Sequence, residues 1–254
     1  MIEGVSETMS EKPWLILTLR RTGGTSLTSF LADVSQFPPV EHEPFNTDRV
    51  FGKITTDFRK TRDVAAMQEA VKAAVADSPN IKHCVEIIPQ EITRALIDIC
   101  MDQGYGFMVL TRKDEARRVL SLLLAVSTGA WGPEMANRIY PQIIEGTLTP
   151  KPIDLEALRN RVRVDYYSIG GTLSLLRNRQ IDYQWLLFEE LYFGETSIED
   201  QAREIAAVLG IEIASDDPRL AAFSKREGQK SGSIAEYVEG YDEAARLLSE
   251  LCTI

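Results

Sequence analysis

The sequence predicts an α/β fold with a central, mostly parallel β-sheet flanked by helices. Short continuous apolar runs, WLILTL over 14–19 and FMVL over 107–110, have the character of strands buried on both faces. They alternate with segments of helical periodicity, such as VAAMQEAVKAAVA over 64–76 and EITRALIDICMD over 91–102. Polar clusters follow three of the strands: RRTGGTS, RKDEARR and EELYFGE. Sites in parallel sheets lie beyond the carboxyl ends of the strands, so the pattern itself places one there.

Taken in order, the strand over 14–19 leads into RRTGGTS and then a helix from about Ser26 to Val34. The Ala-rich amphipathic stretch 64–76 is ended by Asp77-Ser78-Pro79, and the β-branched run IKHCVEII over 81–88 predicts a second strand. The helix over 91–102 is closed by Gly104, and the third strand, 107–110, runs into a helix over about 114–126. Pro133 opens a further helix. The segment 154–179 predicts one or two helices with Gly170-Gly171 as the break, and YQWLLF over 183–188 a fourth strand. Thr196 and Glu199 form a capping-box pattern ahead of a helix ended by Gly210.

The chain of 254 residues is expected to form a single domain over 1–254, with 1–12 as a flexible N-terminus. Its 44% apolar and 26% charged residues are ordinary for a globular protein. With 28 basic and 38 acidic residues the net charge is −10, which argues against non-specific binding to nucleic acid or to an anionic membrane. The basic residues are bunched all the same: Arg20-Arg21, Arg112-Lys113 with Arg117-Arg118, Arg159/Arg161/Arg163, Arg177/Arg179, and Lys225-Arg226 with Lys230. Cys84, Cys100 and Cys252 are odd in number and lack CxxC spacing, as expected of free thiols in a reducing compartment. The opening MIEGVSETMSEK has no apolar h-region, and the longest compact apolar run spans only 120–126. The expectation is a cytoplasmic protein without a secretory leader or membrane span.

Strand, then Arg20-Arg21-Thr22-Gly23-Gly24-Thr25-Ser26, then helix, is an arrangement that cradles a phosphate. Glycines admit close backbone approach, and helix-start amides supply donors at the positive end of the dipole. Thr25 and Ser26 add hydroxyls and Arg21 a fixed charge. This is not a Walker A loop, because no Lys precedes Thr25, and the third strand ends in Thr111-Arg112 rather than in an acid suited to magnesium. The alternative is a tight turn with solvated arginines.

Arg21 to Leu27 (RTGGTSL) resembles the 5′-phosphosulfate loop of sulfotransferases that use 3′-phosphoadenosine 5′-phosphosulfate (PAPS), in particular the bacterial trehalose 2-sulfotransferase-like branch. Three further segments share the resemblance: Glu43-Pro44-Phe45-Asn46; Leu110-Thr111-Arg112-Lys113 through Ser121-Leu122 with Thr128-Gly129-Ala130-Trp131; and Leu187-Phe188-Glu189-Glu190-Leu191. Together they cover most of 14–213. The resemblance implies a P-loop-like sulfotransferase fold and PAPS as sulfonate donor, with no metal required. It implies that Arg20 to Ser26 hold the 5′ phosphosulfate and that Arg112 and Ser121, nine apart as in the bacterial branch, hold the 3′ phosphate. Ser121 lies inside LSLLLAV, where a hydroxyl needs a partner; its own helix backbone is the alternative partner. For Arg112 the alternative is a surface ion pair with Asp114 or Glu115. The basic segment Lys225 to Gly232 is loosely similar to the late loop that closes over the nucleotide, with a solvated loop as the alternative.

Sulfuryl transfer needs a general base, charge stabilisation by arginine and amides, and in-line alignment. The resemblance makes Glu43 the base, and Glu41 two positions before it is expected to raise its pKa, with a surface acidic turn before Pro44 as the alternative. His83, after Lys82, is the second choice for the base, and Lys82 a donor to the sulfonate or the acceptor; a satisfied structural histidine is the alternative. Glu41, His42 and Glu43 are too local for a metal site, since adjacent side chains point apart. The acceptor is expected to be a hydroxyl on a carbohydrate or small polar metabolite. The helical stretch 134–180 is expected on the acceptor side or at a homodimer contact. Trp131, Tyr166 and Tyr167 are expected in the core, with sugar stacking as the alternative. The rival readings are a P-loop nucleotide kinase and a catalytically inactive sulfotransferase-fold binding protein.

Overall fold

The computed structural model describes residues 10–225, 229 and 231–252. Four strands, β1 (Trp14–Thr18), β2 (Ile81–Cys84), β3 (Gly106–Thr111) and β4 (Tyr183–Leu187), form an all-parallel sheet in the order β2-β1-β3-β4. The helices in chain order are α1 (Gly24–Val34), α2 (Gly52–Thr61), α3 (Val64–Ala74), α4 (Gln90–Asp102), α5 (Glu115–Thr128), α6 (Pro133–Ile144) and α7 (Leu155–Asn178). After β4 come α8 (Phe188–Phe193), α9 (Ile198–Val208), α10 (Pro218–Ser224), a 3-10 segment over Ser231–Tyr237 and α11 (Tyr241–Leu251). The expected α/β class with helices around a parallel sheet is present.

All five residues of β1 are buried, and alternation sends them to two cores. Leu15 and Leu17 join Ile81, Phe107 and Val109 against α3 and α4. Trp14 and Ile16 join Met108 and Leu110 against α1, α9 and α10. A third cluster ties α5, α6 and α7 to Ile234 and to Ala244 and Leu248 of α11. The strand order makes the connection after β1 leave toward β2 and the one after β3 toward β4. A crevice therefore opens between the carboxyl ends of β1 and β3. No single helix among the described residues is long and apolar enough to cross a membrane.

The structure corrects several boundaries. The second strand ends at Cys84, because Ile87 N bonds back to Cys84 O in a turn that swings Glu86 toward Arg20. Gly170-Gly171 does not break α7, which runs unbroken for 24 residues. A Cβ at Gly171 would lie 3.1 Å from Gln90 Nε2, so glycine lets the start of α4 approach the helix. Phe188 begins a helix instead of ending β4. Ser197, not Thr196, caps α9, accepting from Asp200 N at 3.1 Å. The expected N-terminal flexible stretch falls largely on 1–9, outside the described residues.

Candidate functional site

The turn after β1 is fixed from inside. Thr18 Oγ1 donates to Leu110 O at 2.8 Å, and Thr22 Oγ1 donates to Leu19 O at 2.9 Å. Thr22 is buried and its hydroxyl is spent on the turn itself, so it does not stand with the outward-facing groups. Arg21 (φ 70°) and Gly23 (φ 77°) both adopt the left-handed region, which reverses the chain within three residues and starts α1 at Gly24. The first turn of α1 carries an exposed Thr25 and a half-buried Ser26. A Cβ at Gly24 would meet Lys82 Cδ at 3.2 Å, so this glycine lets Lys82 pass beneath the helix start. On its other side the turn is covered: Tyr192 Oη donates to Gly23 O at 2.8 Å, and a Cβ on Gly23 would lie 2.6 Å from the Phe188 ring.

Three arginines converge here. Arg20 donates from its amide and from Nε to the fully buried Glu86, at 3.0 and 2.9 Å to Oε1, and its guanidinium lies 5.9 Å from the Trp131 ring centre. Arg21 Nε donates to Ser121 Oγ at 3.0 Å, and Ser121 Oγ lies 3.2 Å from Ser231 Oγ. Ser121 thus serves neighbours across the crevice rather than its own helix carbonyl. Arg112 lies over the Phe188 ring at 4.3 Å, donates to Arg21 O at 3.4 Å, and pairs with Glu189 at 3.4 Å rather than with Asp114 or Glu115. Asp114 and Glu115 face Arg117 and Arg118. Glu189 also accepts from the amides of Lys113 (2.7 Å) and Asp114 (3.2 Å).

Burial pulls the Arg21 pKa below its ordinary value; Tyr140 opposes this and Arg112 adds to it. Among the described residues no carboxylate pairs with Arg21. A guanidinium withdrawn from water, beside a second guanidinium and bonded to a neutral hydroxyl, favours an added anion.

Glu43 (φ 59°) stands at the end of β2, 3.0 Å from Lys82 Nζ and 3.4 Å from Asn46 Nδ2. The expected upward pKa shift is not what the structure gives. Burial pushes the Glu43 carboxyl up, but Lys82, a bond from Cys84 and the charge of Arg20 together hold it below its ordinary value. Glu41 does not oppose them, because it is turned away to Arg49 and the amide of Val50. His83 points to the opposite face of β2 from Lys82. There its Nε2 lies 2.9 Å from Thr93 Oγ1 and its ring stands edge-on to Phe45, and burial lowers its pKa to about 4. The structure therefore brings together Arg20, Arg21, Gly23, Gly24, Arg112, Ser121, Lys82 and Glu43, but seats His83 in the core. Trp131, Tyr166 and Tyr167 are exposed rather than buried.

Sequence reasoning missed Glu86, Glu189, Tyr192 and Arg118, although Arg118 and Glu189 stand in clusters that the pattern marks. Arg118 is wholly buried; it pairs with Glu115 at 2.6 Å and with Asp165, and donates to Arg20 O at 2.9 Å. Within the late basic loop, Arg226, Glu227, Gly228 and Lys230 lie outside the described residues. Gln229 joins Ala130 O (2.7 Å), Gly132 N (3.1 Å) and Tyr140 Oη (2.8 Å). No trio of His, Cys, Asp or Glu among the described residues is placed to hold a metal ion. A cavity of 470 Å³ lined by Lys12, Tyr105 and Gln184 lies at the opposite, amino-terminal edge of the sheet, where no such charges converge. Neither a family model nor a curated protein matches the chain.

Proposed function

We propose that the chain is a PAPS-dependent sulfotransferase of P-loop-like fold that moves a sulfonate to a hydroxyl of a carbohydrate or small polar metabolite. The observation that carries this reading is the state of Arg21: half-buried, bonded to Ser121 instead of a carboxylate, and set beside Arg112 at the mouth of the β1/β3 crevice.

When bound, PAPS supplies a sulfonate on a good leaving phosphate. Arg21 and the amides of the Gly23–Ser26 turn bind the phosphosulfate and stabilise charge on the leaving oxygen. Arg112 and Ser121 hold the second phosphate, with Ser121 Oγ exchanging its Arg21 partner for a phosphate oxygen. Glu43 takes the acceptor proton. Lys82 keeps Glu43 ionised at rest; when its Nζ turns toward the sulfonate, Glu43 loses its strongest stabilising partner and becomes a better base.

The packing of Phe188 and Tyr192 on Gly23 favours one other reading, an anion-binding module without transfer. One titration separates these from a kinase. Adenosine 3′,5′-bisphosphate without magnesium is expected to stabilise the chain by about 2.7 kcal/mol at 100 times its Kd. Stabilisation by magnesium-ATP alone would favour the kinase. Bisphosphate binding with no transfer from PAPS in a hydroxyl-acceptor screen would leave the module. No response to the bisphosphate refutes the proposal.

A further inference from the structure

We infer that Arg118 is a positioning residue, which holds the Arg20-Arg21 turn in its anion-binding shape by tying it to the buried Asp165 of α7. An arginine with no exposed surface is rare unless every donor it buries has a task. Here Nε and Nη2 hold Glu115 at 2.7 and 2.6 Å, Nη2 also holds Asp165, and Nη1 is spent on one backbone atom, Arg20 O, at 2.9 Å. Asp165 is itself fully buried and takes a second bond from Arg161 at 3.3 Å, so it is a fixed anchor in the middle of a 24-residue helix.

The residue that receives this bond is held on its other side as well. Arg20 N and Nε both donate to Glu86 Oε1. The peptide between Arg20 and Arg21 is thus gripped at its carbonyl by Arg118, immediately before Arg21 enters the left-handed region at φ 70°. A non-glycine residue holds that conformation only where its surroundings impose it. The flat fork of arginine reaches Asp165, Glu115 and Arg20 O at once; the single ammonium of lysine cannot. Arg118 therefore acts through Arg21, whose guanidinium bonds Ser121 and whose carbonyl accepts from Arg112, and its own donors are spent on Glu115, Asp165 and Arg20 O rather than on a bound ligand.

The test compares Arg118→Lys with wild type by hydrogen exchange, without ligand, at the Arg20 amide, which donates to the buried Glu86. Exchange is expected to rise at least tenfold there. Leu209→Ala, a truncation in the core at the opposite, amino-terminal edge of the sheet, serves as a control that lowers global stability away from this turn. Unchanged exchange at the Arg20 amide in Arg118→Lys, or an equal rise in the control, overturns the inference. Should Arg118→Lys not fold, the pair Arg118→Met with Asp165→Leu removes both charges and carries the same readout. A second arm rests on the function proposed above. Adenosine 3′,5′-bisphosphate is expected to bind Arg118→Lys at least tenfold more weakly, and Arg21→Ala to weaken binding less in that background than in wild type. An undiminished Arg21→Ala effect overturns the inference. Failure of wild type to bind the bisphosphate refutes the functional reading alone, because the exchange arm stands without it.

Discussion

Lys82 Nζ lies 3.0 Å from Glu43 Oε1, and the two charges, 39 residues apart in sequence, meet beneath the first turn of α1 with only 5% of the lysine side chain exposed. The pair is held in the charged form from both sides: the Glu43 pKa is lowered from its ordinary 4.5 and the Lys82 pKa raised from its ordinary 10.5. The depressed carboxylate contributes stability that is present above 4.5 and lost as pH falls through the folded value. The raised ammonium contributes stability that is present below 10.5 and lost as pH rises through its folded value. Lys82→Met leaves Glu43 buried without its main partner. Unfolding by urea at pH 7 is expected to show a loss of about 3 kcal/mol, the scale for breaking a buried pair. The loss should shrink on acidification, as Glu43 is neutralised. A loss that does not change between pH 7 and pH 4 would refute this account.

His83 makes a separate acid-sensitive contribution. Its pKa falls from 6.5 to about 4 because burial disfavours the imidazolium. Between those values the unfolded chain binds a proton that the folded chain does not, so stability falls as pH drops below 6.5. At pH 5 the loss relative to pH 8 is about 2 kcal/mol. In His83→Gln that part of the pH dependence should disappear, and sulfonate transfer, where measured, should persist, because the ring faces Thr93 and Phe45 rather than Glu43. Abolished transfer in a folded His83→Gln protein would restore the histidine as base.

The sheet and the turn were legible because they rest on local signals: WLILTL and FMVL are apolar on both faces, and RRTGGTS must reverse the chain between a strand and a helix. Glu43 and Lys82 were each visible, but the sign of the Glu43 shift was not. Sequence offers the nearby Glu41, whereas the fold turns Glu41 toward Arg49 and brings in Lys82 from a distant strand. Arg118 and Asp165 stand 47 residues apart on helices whose packing no local pattern states. Gly170-Gly171 carries a breaker signal that tertiary packing against Gln90 overrides. The cover over Gly23 was missed because Phe188 continues an apolar run, and only the end of the β3 ladder at Leu187 shows that a helix begins there.

Gly23→Ala tests that cover. Alanine at φ 77° is strained by about 1–2 kcal/mol, and its methyl would stand 2.6 Å from the Phe188 ring. The combined loss is expected to be about 3 kcal/mol in thermal or urea unfolding. Adding Phe188→Ala opens the space but leaves the backbone strain, so Gly23→Ala should be less damaging in that background, by an amount a double-mutant cycle reads directly. Strict additivity would mean that the ring does not limit the turn.

Glu189 sits where an oxoanion on Arg112 would compete with it. Burial raises its pKa, but the amides of Lys113 and Asp114 and the charge of Arg112 together hold the carboxyl below 4.5, so at neutral pH it stays ionised against the arginine. Glu189→Gln keeps the size of the side chain and removes the competing charge, with the loss of one of its two bonds from the amides of Lys113 and Asp114. Adenosine 3′,5′-bisphosphate is expected to bind the variant about fivefold tighter, the affinity equivalent of a partly exposed ion pair. The advantage should vanish when Arg112→Ala is added. In wild type, acidification below 4.5 should release Arg112 in the same way, whereas Glu189→Gln should show no such pH response. Calorimetric titration of the four proteins, single, double and wild type, decides the matter. Weaker binding by Glu189→Gln would show instead that the carboxylate orients Arg112 for its ligand.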